Sequence, residues 1–257
     1  MTRKLPFESI ENFRDFGDYG AGARRIRKGV LYRAAHQAEA TDADLETLAG
    51  LGLSLIVDLR RPNERTRSPS RRWAGFDAEV IENHEGEEHD DPWHAFIAGS
   101  DLSSKAFTDY MVGYYSAAPF VPRHVDLYSR YFQRLGHIEG AALIHCAAGK
   151  DRTGILAALT HHIAGVHEDD IFADFLLTND PARFERRIPI MRQAILEATG
   201  REATDEGLIT ALGVEQHYLE TAFAAIHAAH PSLDHYLETV LGVDSKTRAA
   251  IEAKILE

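Results

Sequence analysis

Ala141-Ala142-Leu143-Ile144-His145-Cys146-Ala147-Ala148-Gly149-Lys150-Asp151-Arg152-Thr153-Gly154 is the stretch on which the fold turns. Its first five residues form a short apolar run that reads as a buried central strand. The chain then tightens at Gly149, and residues 152–164 carry helical periodicity. A strand passing through a tight glycine-containing loop into a helix aims the loop's N–H groups and the helix N-terminus at one anion. The sole cysteine, Cys146, opens this loop and Arg152 closes it.

Outward from that stretch, short apolar runs alternate with helical periods. Thr41, followed by Asp42 and Asp44, marks a helix start, and the spacing predicts a helix to about Gly50. Residues 53–59 read as a second buried strand and 78–81 as a third. Residues 123–135 form a helix with Val125, Tyr128, Phe132 and Leu135 on one face. Helices between short apolar strands imply an α/β fold with a central, mostly parallel sheet flanked by helices. Beyond Glu168 the pattern is helical, over about 169–177, 182–198, 214–227 and 233–241, so additional C-terminal helices are expected. Pro189 should kink or split the second of these. There is no repeat and no low-complexity linker, so residues 1–257 are expected to form a single domain.

Length and composition narrow the function. The 257 residues are ample for a core; 44% are hydrophobic and 26% charged, which is ordinary for a globular protein. The formal charge of −12 argues against a nucleic-acid partner, which would need a basic face. No apolar stretch reaches the roughly 18 residues that span a bilayer, so no stable membrane insertion is expected. One cysteine rules out an internal disulfide and multi-cysteine metal sites, and the N-terminus carries no signal-peptide pattern; a cytoplasmic location is expected. The sequence sets no oligomeric state.

The loop itself carries the chemistry. Cys-x5-Arg puts a thiol and a guanidinium on either side of one cradle. The helix N-terminus, Lys150 and Arg152 should favour the thiolate. Arg152 can donate two parallel hydrogen bonds to a tetrahedral oxyanion. The arrangement suits attack by the thiolate on phosphorus, then hydrolysis of a phosphocysteine. A lone cysteine at a strand end is ordinarily a small core hydrophobe; the residues around Cys146 argue otherwise. A nucleotide-binding Walker loop is excluded, since Asp151 follows Gly149-Lys150 where Ser or Thr is needed, and Ile144 stands where its first glycine belongs.

His145-Cys146-x2-Gly149-Lys150-Asp151-Arg152-Thr153-Gly154 resembles the signature loop of the cysteine-dependent protein tyrosine phosphatase superfamily. More narrowly, the chain resembles the bacterial tyrosine/serine protein phosphatase family. Asn12-Phe13-Arg14-Asp15-Phe16-Gly17, Leu31-Tyr32-Arg33, Val57-Asp58-Leu59-Arg60 and Phe175-Leu176-Leu177-Thr178-Asn179 agree with it, as do Tyr236-Leu237 and Leu241-Gly242. The resemblance implies a tyrosine-phosphatase-like fold and a phosphomonoester hydrolase without metal or other cofactor. Its expected substrates are phosphotyrosine proteins, with phosphoserine/threonine or phosphoinositide as further classes.

Residue by residue, the resemblance implies Cys146 as nucleophile, Arg152 as phosphate clamp, and Thr153 as hydrogen-bond partner of the thiolate. The backbone of Ala147, Ala148, Gly149 and Lys150 would bind phosphate, with the Lys150 side chain contacting additional phosphate. His145 would hold the loop, and Asn12, Arg14 and Asp15 would brace the site. Asp58 and Arg60, at the carboxyl end of a parallel strand, stand where α/β proteins place ligands, although a strand-capping salt bridge is the alternative. No Trp-Pro-Asp acid loop exists: Asp90-Asp91-Pro92-Trp93 reverses that order. Asp151 is therefore placed first as general acid, Asp58 second, and the acidic run 82–91 third.

The segment 181–199, with Arg183, Arg186, Arg187 and Arg192, reads as an amphipathic surface helix or as a helical lid over the site. His84, His89 and His94 fit no metal motif, while His161, His162 and His167 read as helix-end residues. Two other functions share the loop chemistry: a rhodanese-like sulfurtransferase and a catalytically weak phospho-binding module. Arsenate reduction lacks a second cysteine to resolve its intermediate.

Overall fold

The computed structural model describes residues 5–84 and 92–257. Among these, five strands pair in the order β1 (Arg14–Asp15), β4 (Leu31–Ala34), β7 (Ala141–His145), β5 (Leu53–Asp58), β6 (Glu79–Ile81). All neighbours are parallel except β1, which runs antiparallel to β4. A separate short hairpin joins β2 (Gly20–Ala21) to β3 (Arg24–Arg25). The central strand β7 is buried along its whole length, which explains its near-continuous apolar run. Its side chains alternate between two cores: Ala142 and Ile144 face one cluster, Ala141 and Leu143 the other. In register, His145 lies opposite Ala34 on one side and Asp58 on the other. Three carboxyl strand ends are thus brought side by side.

Of the helices, α1 (Asp42–Ala49) starts at a capping box in which Thr41 and Asp44 exchange hydrogen bonds. Next come α2 (Pro62–Arg67), α3 (Pro92–Gly99), α4 (Ser104–Ala117) and α5 (Pro122–Leu135). After β7 follow α6 (Asp151–Ala164), α7 (Glu168–Leu176), α8 (Pro181–Thr199) and α9 (Asp205–Leu212). The chain closes with α10 (Gln216–Ala229), α11 (Leu233–Thr239) and α12 (Ser245–Ile255). The helix after the loop, α6, is buried on nearly every side, as a helix apolar all round must be. Gly165, at φ 80°, ends it in the left-handed region.

The mostly parallel sheet flanked by helices agrees with the sequence reading, and most boundaries fall within two residues of it. Three differences have physical reasons. The helices α2, α3, α4, α9 and α12 are not legible in the sequence: Gly, Ser, Thr and charged residues break the apolar period of four of them, and α3 is eight residues with no polar face to set a period. Residues 181–199 form one helix that is not split at Pro189; the proline is exposed, where solvent can satisfy the carbonyl it leaves unpaired. His161 does stand in the last turn of α6, but it is fully buried there, its Nε2 2.7 Å from the Phe16 carbonyl. No helix among the described residues is long and apolar enough to cross a membrane.

The candidate active site

The loop between β7 and α6 owes its shape to one glycine and to the donors behind it. Gly149 has φ 63°, and a Cβ there would meet the Ala34 carbonyl at 2.4 Å, so a larger residue is excluded by both conformation and space. Four consecutive loop carbonyls are held from outside. Ala147 accepts from the His36 amide at 3.3 Å. Asn12 Nδ2 donates to Ala148 and Gly149, at 3.2 and 2.8 Å. Arg33 Nη2 donates to Gly149 and Lys150, at 3.0 and 3.4 Å. Because each peptide unit is planar, the N–H groups of residues 148–151 point the opposite way. No acceptor among the described residues takes them. The amino-terminal end of α6 adds its positive dipole.

Behind these donors lies a dry ionic cluster. Asp174, on α7, accepts from Arg14 Nε at 3.1 Å and from Arg33 Nη1 at 2.7 Å, and all three side chains are almost wholly buried. Burial alone would raise the Asp174 carboxyl; the two guanidiniums outweigh it and hold the group below the usual carboxylate range. Burial and the neighbouring Arg14 lower Arg33 to about 10. Two cations on one carboxylate leave a net positive charge under the loop, and Arg33 feels Cys146 directly. Arg14 Nη1 also binds Asn12 Oδ1, so both residues brace the loop. Asp15 instead accepts the Gly17 and Gly29 amides at 2.7 Å each, away from the loop.

Asp58 and Arg60 are each 1% exposed and paired through several hydrogen bonds, the shortest at 2.7 Å. Arg60 also donates to the Ser68 carbonyl and the Ser70 hydroxyl. The pair makes the strand-capping salt bridge that the sequence offered as the alternative to ligand binding. Burial pushes the Asp58 carboxyl up, but His145 and Arg60 override it, so Asp58 stays ionised and is a poor proton donor. His145 lies beneath the loop with its Nε2 3.7 Å from Asp58. Desolvation lowers its imidazole to about 4, keeping it neutral near pH 7.

On the open side, Cys146 is 2% exposed. Arg152 is fixed by a residue that sequence reasoning missed. Glu64 on α2 takes both of its terminal nitrogens, at 2.5 and 2.8 Å, while Arg152 Nη1 also donates to the Leu59 carbonyl at 3.1 Å. Burial would raise Glu64, yet Arg152 holds it down at about 2. The available signal was Arg61-Pro62-Asn63-Glu64, a helix start with proline first and an acid two residues later. Asp151 accepts from the Tyr115 hydroxyl at 2.8 Å. The Thr153 hydroxyl is buried without a partner.

Lys150 sits differently from its expected place on additional phosphate. Its ammonium is buried against the α9 C-terminus, donating to Ala211 and Gly213 carbonyls at 2.8 and 3.1 Å. Burial lowers it, partly offset by Asp151. Arg183 of α8 donates to the intervening Leu212 carbonyl at 2.9 Å. Arg183, Arg186 and Arg187 all approach Glu11, at 3.5, 3.6 and 2.8 Å. Helix α8 is therefore tied both to the α9 C-terminus and to the residue beside Asn12. Among the described residues, no three His, Cys, Asp or Glu side chains gather as metal ligands. His89 and residues 85–91 of the acidic run lie outside the described residues.

Comparison with known proteins agrees with this geometry. Residues 5–257 match the model of the tyrosine phosphatase family. The chain is 34% identical over 245 residues to a Cupriavidus necator protein named "Putative tyrosine-protein phosphatase", covering 93% of this chain and 85% of that one. It is 29% identical over 270 residues to the triple specificity protein phosphatase PtpB of Mycobacterium tuberculosis, covering 92% of each. A tyrosine-protein phosphatase of Nostoc commune is 32% identical over 159 residues, 61% of this chain and 50% of that one. With a strand–loop–helix that turns its amides inward beside Cys146 and Arg152, and a match along nearly its whole length, the chain belongs to the tyrosine phosphatase family.

Proposed function

We propose that residues 1–257 act as one phosphatase domain that hydrolyses phosphomonoesters through a phosphocysteine at Cys146. The observation that carries this reading is the outward holding of four loop carbonyls by His36, Asn12 and Arg33. The inward amides match the equatorial oxygens of a phosphoryl group, where charge accumulates in the transition state. The Cys146 sulfur attacks phosphorus as the P–O bond to the leaving group breaks. Asp151 gives that oxygen its proton, and Tyr115 orients the carboxyl. Water then cleaves the S–P bond, releasing phosphate, while the Thr153 hydroxyl stabilises the departing sulfur. Arg152, locked by Glu64, clamps the phosphoryl oxygens throughout.

Phosphotyrosine protein is the leading substrate class, with phosphoserine/threonine or phosphoinositide as further classes. The name of the Mycobacterium relative supports breadth of specificity. The α8 segment acts as a lid: its contacts with Glu11 are partly solvent-exposed. Binding of a phosphate analogue should change the protease sensitivity of residues 181–199; equal cleavage with and without it rejects the lid.

The deciding experiment measures phosphate release by wild type and Cys146→Ser, with EDTA, on phosphotyrosine peptide, phosphoserine peptide and phosphoinositides. Turnover lost in Cys146→Ser supports the thiol mechanism, and the ranking sets the class. Thiosulfate–cyanide activity in its place would favour sulfur transfer, and phosphopeptide binding without turnover a phospho-binding module.

A further inference from the structure

Helix α4 places two consecutive tyrosines against the site, and only one has a partner. Tyr115 is fully buried and donates to Asp151. Tyr114 packs its ring edge-on to Tyr115 and His124, at centroid distances of 5.6 and 6.3 Å. Its hydroxyl is buried and makes no hydrogen bond. A buried hydroxyl left unsatisfied is destabilising, and phenylalanine would fill the same space without that penalty.

The surroundings indicate what the missing partner is. The charged groups acting on the Tyr114 phenol are, in order, Arg152, Asp151, Cys146 and Glu64. Each belongs to the cradle: the clamp, the acid candidate, the nucleophile and the residue that anchors the clamp. Burial drives the phenol far above its ordinary range, so it keeps its proton and has it to donate.

We propose that the Tyr114 hydroxyl is a further catalytic group, donating a hydrogen bond to a phosphoryl oxygen seated in the Cys146 loop. The inference rests on the phosphocysteine reading above. No proton is transferred: the O–H bond of Tyr114 stays intact, and the hydrogen bond strengthens as negative charge builds on the equatorial oxygens. Being supplied by α4, this donor is independent of the loop amides and of Arg152. A donor already in place within a dry site stabilises the transition state without reorganisation.

The test is Tyr114→Phe, assayed beside wild type and Cys146→Ser on an aryl phosphate. With Tyr114→Phe, kcat/KM should fall roughly tenfold to a hundredfold. Inhibition by vanadate, which mimics the five-coordinate transition state, should weaken by a similar factor, while inhibition by inorganic phosphate changes far less. The melting temperature should hold or rise, since an unpartnered buried hydroxyl has been removed. A purely packing role would leave kcat/KM and vanadate affinity at wild-type values, and that result overturns the proposal. Turnover that survives Cys146→Ser rejects the phosphocysteine reading itself, and the role of Tyr114 with it.

Discussion

Two groups of arginines surround the loop, each converging on one carboxylate, and they differ in water. Behind the loop, Arg14 and Arg33 meet Asp174 with side chains 1%, 0% and 2% exposed. In the second group, Arg186 and Arg187 meet Glu11 with side chains 58%, 31% and 11% exposed, beside a buried Arg183 that is also held by the Leu212 carbonyl. The pairing chemistry is the same, and the consequence is opposite. In the interior a charge without its partner has no solvent to turn to, so each member must stay where the others need it. At the surface, solvent and salt replace the partner at little cost. The first group can therefore hold loop carbonyls to within a hydrogen bond, whereas the second fastens α8 through contacts that solvent partly replaces.

The sharpest way to break this comparison is to remove each carboxylate in turn. Asp174→Ala leaves two guanidiniums buried without a counter-charge and should lower unfolding stability by about 3–5 kcal/mol in urea titrations. Glu11→Ala should lower it clearly less, since Arg186 and Arg187 can turn to solvent and the buried Arg183 keeps its bond to the Leu212 carbonyl. Equal losses would mean that burial is not what separates the groups.

Acid probes the rear of the loop in the same spirit. His145 and His124 are held neutral, lowered by burial to about 4 and about 3 from an ordinary 6.5. Below pH 6.5 the unfolded chain binds protons that the folded one refuses, so stability should fall as pH drops from 6.5 toward 4. Below about 4.5, Glu64 adds to the loss, since the unfolded chain protonates there while the folded carboxylate resists to about 2. Calorimetry should show a melting temperature lower by on the order of 10 °C at pH 4.5 than at pH 7. His145→Gln should flatten the upper part of that slope.

Glu64→Gln keeps the shape of the clamp's anchor and removes its charge. We expect kcat to fall roughly tenfold to a hundredfold through loss of orientation at Arg152, together with a loss of stability, since the mostly buried Arg152 loses its counter-charge. The smallest effect belongs to the outer group: Arg186→Ala should shift unfolding stability by no more than about 0.5 kcal/mol.

The elements differ in the same way in how far they could be read. The strand–loop–helix from Ala141 to Ala164 was legible because each of its signals is local: an apolar run, a glycine at the tight turn, and an acid at the helix start. The capping box at Thr41 was legible for the same reason, its two hydrogen bonds spanning three residues. Cys146 and Arg152 could be placed together from a spacing that one loop satisfies. By contrast, α9 gave no sequence signal, and its C-terminal carbonyls capture the Lys150 ammonium, 61 and 63 residues away. Lys150 alone could not show whether it points at substrate or at a helix end.

What the sequence determined by itself is the class of fold, the place of the loop within it, and the residue types at its mouth. These follow from backbone periodicity and turn chemistry, which act over a few residues. Only the tertiary structure decided which charges are dry and what they touch. Arg14 reaches Asp174 across 160 positions, Arg33 reaches Gly149 across 116, and Arg152 reaches Glu64 across 88. Those partnerships depend on sheet register and on which helix covers which strand end. An arginine that is 0% exposed and one that is 58% exposed are the same letter in the chain, and the solvent each is denied is a property of the fold alone.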